Sequence, residues 1–208
     1  MPTCAPPRQR SPSNDAPRTP RSRANSNSSE RRSTIRFSGA VTLPSRRRTH
    51  GRTDGHLTIV TINRPERMNA LHPAANRELA EAFDDFANDP NQWVAIITGA
   101  GDRAFSAGND LKHQATGGDM SGQPMSGFAG LTARYDLAKP VIAAVNGVAM
   151  GGGFEICLAC DLIIAAEGAI FALPEPRVGL AALAGGLHRL PRQIPLKQAL
   201  GMILTGRR

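Results

Sequence analysis

Residues 57–63, 94–98, 141–145 and 161–165 are short apolar runs rich in Val and Ile, and the stretches between them are helical or glycine-rich in pattern. No other feature constrains the fold as strongly. Strands separated by long crossovers pair in parallel, so the sequence reads as α/β with a largely parallel sheet. The first run alternates Thr with apolar residues between Gly55 and Arg64-Pro65. The second is continuous, as in a strand covered on both faces. Residues 73–88 place Leu79, Phe83 and Phe86 at helical spacing with Ala75 and Ala82 beside them, and most of the acids lie off that stripe. Asp89-Pro90-Asn91 stops that helix. The spacing predicts further helices over 128–137, 150–160, 186–194 and 196–204, a strand over 170–172 and a glycine-rich loop over 117–127.

The fold begins only after a long extension. Residues 1–52 carry 12 arginines, no lysine, two acids and seven prolines, a net charge of +10, whereas residues 53–208 carry −2. The pI of about 10.6 therefore belongs to the extension. With Phe37 its only aromatic, this segment has too little apolar surface to offset backbone ordering, so disorder is expected over 1–52 and a folded core over 53–208. Its composition suits a transit peptide, a nucleic-acid arm or a solvated extension. The prolines count against the first and the absence of stacking side chains against the second. No run approaches the roughly 20 apolar residues of a membrane helix. Three cysteines (4, 157 and 160) make no disulfide framework and point to a reducing compartment. That is the cytoplasm, or the mitochondrial matrix should 1–52 be a transit peptide.

Candidate chemistry concentrates in four places. Gly151-Gly152-Gly153 opens a helix behind an apolar strand, and glycine inside a helix costs about 1 kcal/mol against alanine. At a helix start, however, bare amides and the positive end of the dipole hold an anion or a developing oxyanion, and glycine lets it approach. A tight turn with close packing is the alternative. The segment 103–112 again exposes amides around Gly108. Glu155 follows the glycines, and Glu175 sits between Pro174 and Pro176 in an apolar stretch, where burial and a neighbouring acid would split the two acidities into an acid–base pair. Each of these glutamates taken alone is more often a helix cap or a surface acid. Gly99-Ala-Gly101-Asp-Arg-Ala104 fits a dinucleotide pattern but lacks the helix to hold a pyrophosphate. Cys157-Leu-Ala-Cys160 has no second ligand pair and reads as two core thiols, so no metal is expected. His56, His72, His113 and His188 are scattered.

Five blocks taken together resemble the enoyl-CoA hydratase (crotonase) family: 61–71 (TINRPERMNAL), 105–112 (FSAGNDLK), 139–147 (KPVIAAVNG), 151–155 (GGGFE) and 173–175 (LPE). The resemblance covers residues 55–208 in family order. It implies a ClpP-like spiral of repeated β-β-α units that binds acyl-coenzyme A thioesters, with no cofactor beyond the coenzyme A of the substrate. It also implies assembly as trimers or hexamers. Carried over, the oxyanion donors fall on the amides of Ala107 and Gly152. The catalytic carboxylates fall on Glu155, taking a proton from water, and Glu175, delivering one to the α-carbon. Arg67, Met68, Ala70, Leu71, Gly108, Asn109, Asp110 and Leu111 would line the substrate channel. Two carboxylates favour hydration or dehydration over the family's isomerases and hydrolases, and Phe154 with the block 171–175 leans towards carnitinyl-CoA dehydratases. Family members continue beyond the counterpart of Arg208 through helices that close the site. Their absence would leave this protein short at its C-terminus, with a non-catalytic assembly partner as the alternative function.

Overall fold

The structure, a computed structural model, describes residues 49–208 apart from Met120. The expectation of disorder over 1–48 lies outside the described residues. Strand β1 (Thr49–Asp54) crosses the expected domain boundary at 52/53 and pairs antiparallel with β2 (Leu57–Ile62). Sequence composition misplaced this edge because His50 and Arg52 continue the basic pattern of the extension while the backbone from Thr49 already bonds to β2.

Helix α1 (Pro73–Asn88) follows, opened by the His72 ring, whose Nδ1 accepts the Ala75 amide at 3.1 Å, and by proline at a position that needs no amide donor. Its buried face is the expected stripe, with Ala75, Leu79, Phe83 and Phe86 inside. At its other end Lys139 Nζ donates to the carbonyls of Phe86 (2.7 Å) and Asp89 (2.6 Å), a cation against the negative end of the helix. Replacing Lys139 with Met should destabilise the fold by about 2 kcal/mol, the cost of two charge-assisted bonds, read as a lower urea midpoint at unchanged slope.

The large sheet runs in the order β1-β2-β3-β5-β7, with β3 (Val94–Gly99), β5 (Val141–Val145) and β7 (Leu162–Ala165) parallel to β2. A small parallel sheet holds β4 (Ala104–Ser106), β6 (Val148–Met150) and β8 (Ile170–Ala172) in that order. From β3 onward each strand of the large sheet is followed directly by one of the small sheet. Helices α2 (Leu111–Ala115) and α3 (Gly152–Ala159) follow the first two such pairs. After the third come a 3-10 turn at Glu175–Val178 and then α4 (Gly186–Gln193) and α5 (Leu196–Thr205). This is the spiral of β-β-α units that the resemblance implied.

Several local expectations change. Strands β4 and β6 have three residues each and carry no readable period. The helix expected from Met150 starts at Gly152, because Met150 pairs with Ala172 in β6 and Gly151 turns at φ 55°. No helix forms over 128–137 beyond a 3-10 turn at Phe128–Gly130. There Ala129 is left-handed at φ 56° and donates its amide to Asn76 Oδ1 at 2.6 Å, so contact with α1 overrides the local pattern. Strand β3 is buried on one face and only half-covered on the other. The edge strand β7 is exposed along its length, beside a groove of about 630 Å³ lined by Phe154, Leu158, Ile163, Leu190 and Ile194 among others. No helix among the described residues is long and apolar enough to cross a membrane. The protein's one tryptophan, Trp93, stands 61% exposed where α1 joins β3, its ring stacked on His56 at 3.7 Å.

Candidate functional site

All three strands of the small sheet deliver site residues just beyond their C-terminal ends, where parallel sheets place ligands. Ser106 ends β4 and leads into 107–110, Met150 ends β6 and leads into the glycines, and Ala172 ends β8 and leads to Glu175. The first two turns meet backbone against backbone. Gly108 turns at φ 83°, and a Cβ there would lie 2.7 Å from the Met150 carbonyl oxygen and 2.8 Å from the Gly152 nitrogen. A Cβ on Gly153 would strike the Ser106 carbonyl oxygen. The glycines are therefore required by this close approach.

The hydrogen bonds decide which amides remain open. Ala107, expected as an oxyanion donor, is corrected: its N–H donates to the Met68 carbonyl at 2.9 Å. Gly108 N–H donates to Ser106 Oγ at 3.1 Å and Asp110 N–H to the Leu71 carbonyl at 2.9 Å. Between them, the Asn109 amide has no acceptor among the described residues. Leu71 N–H holds the Gly108 carbonyl at 2.8 Å, and in a planar trans peptide the following amide points the opposite way. Asn109 N–H is thus turned away from Leu71. Gly152 supplies the first amide of α3, which has no intrahelical acceptor. The open pair is Asn109 and Gly152. Residue types could not show this, since the choice between neighbouring amides is made by the carbonyl of Met68, some forty residues earlier.

Glu155 is 3% exposed on α3, its Oε1 accepting the Gly186 amide at 2.9 Å. Burial is the main cause that pushes its carboxyl up to about 7; the Gly186 amide opposes this and the nearby Glu175 charge adds to it. Burial also raises Glu175, whose own backbone amide partly opposes the shift. Its Oε2 is buried without a partner, and its Oε1 is close enough to Gly151 that a Cβ there would lie 2.8 Å away. Two carboxyl groups, both made weaker acids by burial, therefore stand beside the start of α3.

The expected lining segments run side by side through a parallel bridge between Leu71 and Asn109. Arg67 and Leu111 are exposed and Met68 half-exposed, while Ala70, Leu71 and Gly108 are buried. Asp110 is corrected as a lining residue. It is 5% exposed, its Oδ2 lies 3.0 Å from the Arg64 guanidinium and its Oδ1 accepts the His113 amide at 3.1 Å. Burial alone would raise its pKa, but these two partners outweigh that and hold it below the usual carboxylate value. The Gly99–Ala104 segment leads into β4 with no helix, unlike a dinucleotide site. Cys157 and Cys160 are buried free thiols whose acidity burial suppresses, Cys160 to about 12. No group of three metal-ligating residues forms among the described residues. The His72 and His113 rings do meet, edge to face at 5.5 Å, a pairing the sequence did not suggest.

Comparison with known proteins agrees with this fold. Carnitinyl-CoA dehydratase of Salmonella arizonae is 50% identical over 157 residues, 74% of the present sequence and 59% of its own length. That of Proteus mirabilis is 47% identical over 160 residues, 76% and 61% respectively. Among solved structures, carnitinyl-CoA hydratase from Mycobacterium avium superposes with a TM-score of 0.74 at 43% identity, covering 78% of the present sequence and 63% of that protein. Enoyl-CoA hydratase from Mycobacterium tuberculosis gives 0.71 at 42%, covering 76% and 62%. The protein spans about three fifths of the length of these relatives. A family model, enoyl-CoA hydratase/isomerase, matches residues 52–208. With the spiral, the paired strand ends and this match, the protein belongs to the enoyl-CoA hydratase/isomerase family.

Proposed function

We propose that this protein holds the site of a lyase that adds water to, or removes it from, the double bond of an enoyl-CoA thioester. The observation that supports it most is the placing of two weakened carboxylic acids, Glu155 buried and Glu175 half-buried, beside a junction of two open amides. The amides of Asn109 and Gly152 receive the thioester oxygen. Ionised Glu155 accepts a proton from water as its oxygen bonds to the β-carbon. The double-bond electrons move into an enolate held by the two amides, and protonated Glu175 delivers its proton to the α-carbon. Dehydration runs the same steps backwards. The amides act mainly on the charged enolate, which is where such donors lower a barrier. Isomerase or hydrolase chemistry with one carboxylate would leave the second weakened acid without a task.

Relatives named for carnitinyl-CoA make that thioester the first acyl group to test, with crotonyl-CoA as the short-chain comparison. Gain of a conjugated thioester absorbance from carnitinyl-CoA, or its loss from crotonyl-CoA, supports the reading, and no change with either compound overturns it. The kcat/KM should rise with pH towards about 7 as Glu155 ionises, and Glu175→Gln should lower kcat by about 10²–10⁴-fold with little change in KM. A flat profile would remove Glu155 from the base role. Assembly as trimers or hexamers belongs to the same reading, and mass in solution checks it.

A further inference from the structure

The segment 64–71 is an unusual support for a catalytic turn. Met68 and Asn69 are consecutive non-glycine residues in the left-handed region, at φ 52° and 55°. Such a backbone persists only when its surroundings over-determine it. Here the fully buried Asn69 side chain does so: its Oδ1 accepts the Arg64 amide at 2.9 Å, and its Nδ2 donates to the carbonyls of Ala100 (3.0 Å) and Ala104 (2.7 Å). Held this way, the segment presents a row of groups to the turn after β4. The Met68 carbonyl takes the Ala107 amide, the Asn69 carbonyl takes Ser106 Oγ at 2.9 Å, and Leu71 bonds on both sides of Asn109.

One charged link spans the two segments. The Arg64 guanidinium donates to the Ala70 carbonyl from one nitrogen and to Asp110 Oδ2 from another, and both side chains are more than nine-tenths buried. Asp110 is held from three directions, through its amide to Leu71 and through its two oxygens to His113 and Arg64. A buried ion pair is a poor source of stability but a good device for fixing register. The residue whose register it fixes lies next to Asp110 in the sequence.

We infer that Arg64 and Asp110 are a positioning pair that aims the Asn109 amide at the thioester oxygen, a role distinct from lining the substrate channel. The inference rests on the proposed site and deepens it. With the pair intact, residues 108–110 cannot slide along Leu71, so the Asn109 N–H stays turned away from Leu71. Losing the pair leaves the main-chain bonds but lets the peptide rock. An amide displaced by a fraction of an ångström loses most of its preference for the enolate over the neutral thioester carbonyl, so kcat suffers and binding does not.

The test compares Asp110→Asn and Arg64→Met, singly and together, with Asp84→Asn, which removes the Arg134–Asp84 pair at its exposed aspartate. Acetoacetyl-CoA serves as the probe, since its bound enolate absorbs in the near ultraviolet without turnover. Expected are a kcat about 10²-fold lower at a KM within about threefold of the parent, loss of the enolate band, and a double variant no worse than the worse single one. Asp84→Asn should change none of these. Parent-like kcat and enolate band in both single variants would overturn the pairing. Should the parent itself show neither turnover nor an enolate band, the proposed function fails. The positioning claim is then decided in the free protein by the ¹H–¹⁵N resonance of Asn109, which must shift in Arg64→Met and stay put in Asp84→Asn. A resonance unmoved in both refutes it.

Discussion

Glu155→Gln should yield a protein that is catalytically crippled and, at alkaline pH, more stable than its parent. The carboxyl titrates near 7 in the folded protein against 4.5 for the free side chain. Between those values the folded state keeps a proton that the unfolded state has released, so stability falls as pH rises through the window. Above pH 7 the whole penalty applies, on the order of 3 kcal/mol. Glutamine carries no charge at any pH, and its Oε1 can still accept the Gly186 amide. The variant should therefore melt several degrees higher than the parent at pH 8 and at nearly the same temperature at pH 5. Its kcat should fall by about 10²–10⁴-fold, the usual worth of a general base. A melting advantage of equal size at both pH values would show that packing, and not ionisation, separates the two proteins.

Gly108→Ala should be a severely damaging single methyl group in the site. The residue turns at φ 83°, and the new Cβ would press on the Met150 carbonyl oxygen and the Gly152 nitrogen, both backbone atoms that cannot swing aside. One outcome is the left-handed strain of any L-residue, about 1–2 kcal/mol. The other is a wedge between the two turns whose amides share the thioester oxygen, with a loss of about 10²–10³-fold in kcat. Gly55→Ala separates the two effects, because Gly55 also has positive φ (59°) but nothing within 4 Å of its would-be Cβ. It should show a similar stability loss at full activity. Equal activity in both variants would mean that the turns do not act on one oxygen.

Much of the architecture can be read from residue patterns because it depends on periods long enough to register. The α1 stripe spans enough residues to fix an element and a face, and the apolar runs of β2, β3, β5 and β7 enough to fix an element. Strands β4 and β6 do not, since three residues make no period and their pairing comes from partners more than forty residues apart. Glu155 and Glu175 are visible as acids in apolar surroundings, and the glycines as an expense needing a cause. The Asn109 amide is hidden, although the residue itself reads as channel lining. Whether an N–H is open depends on which distant carbonyl claims its neighbour, and no residue preference encodes that. Asp110 misleads for a related reason: a carboxylate in a polar motif looks available until its buried guanidinium partner is seen.

Trp93 bears on how any of these variants is measured. Stacked on an exposed imidazole at the hairpin end of the large sheet, the lone indole samples little of the interior. Its emission will follow the detachment of that corner, whereas far-ultraviolet ellipticity follows the helices and sheets as a body. Melting curves from the two optical signals can part company without any populated intermediate in the core.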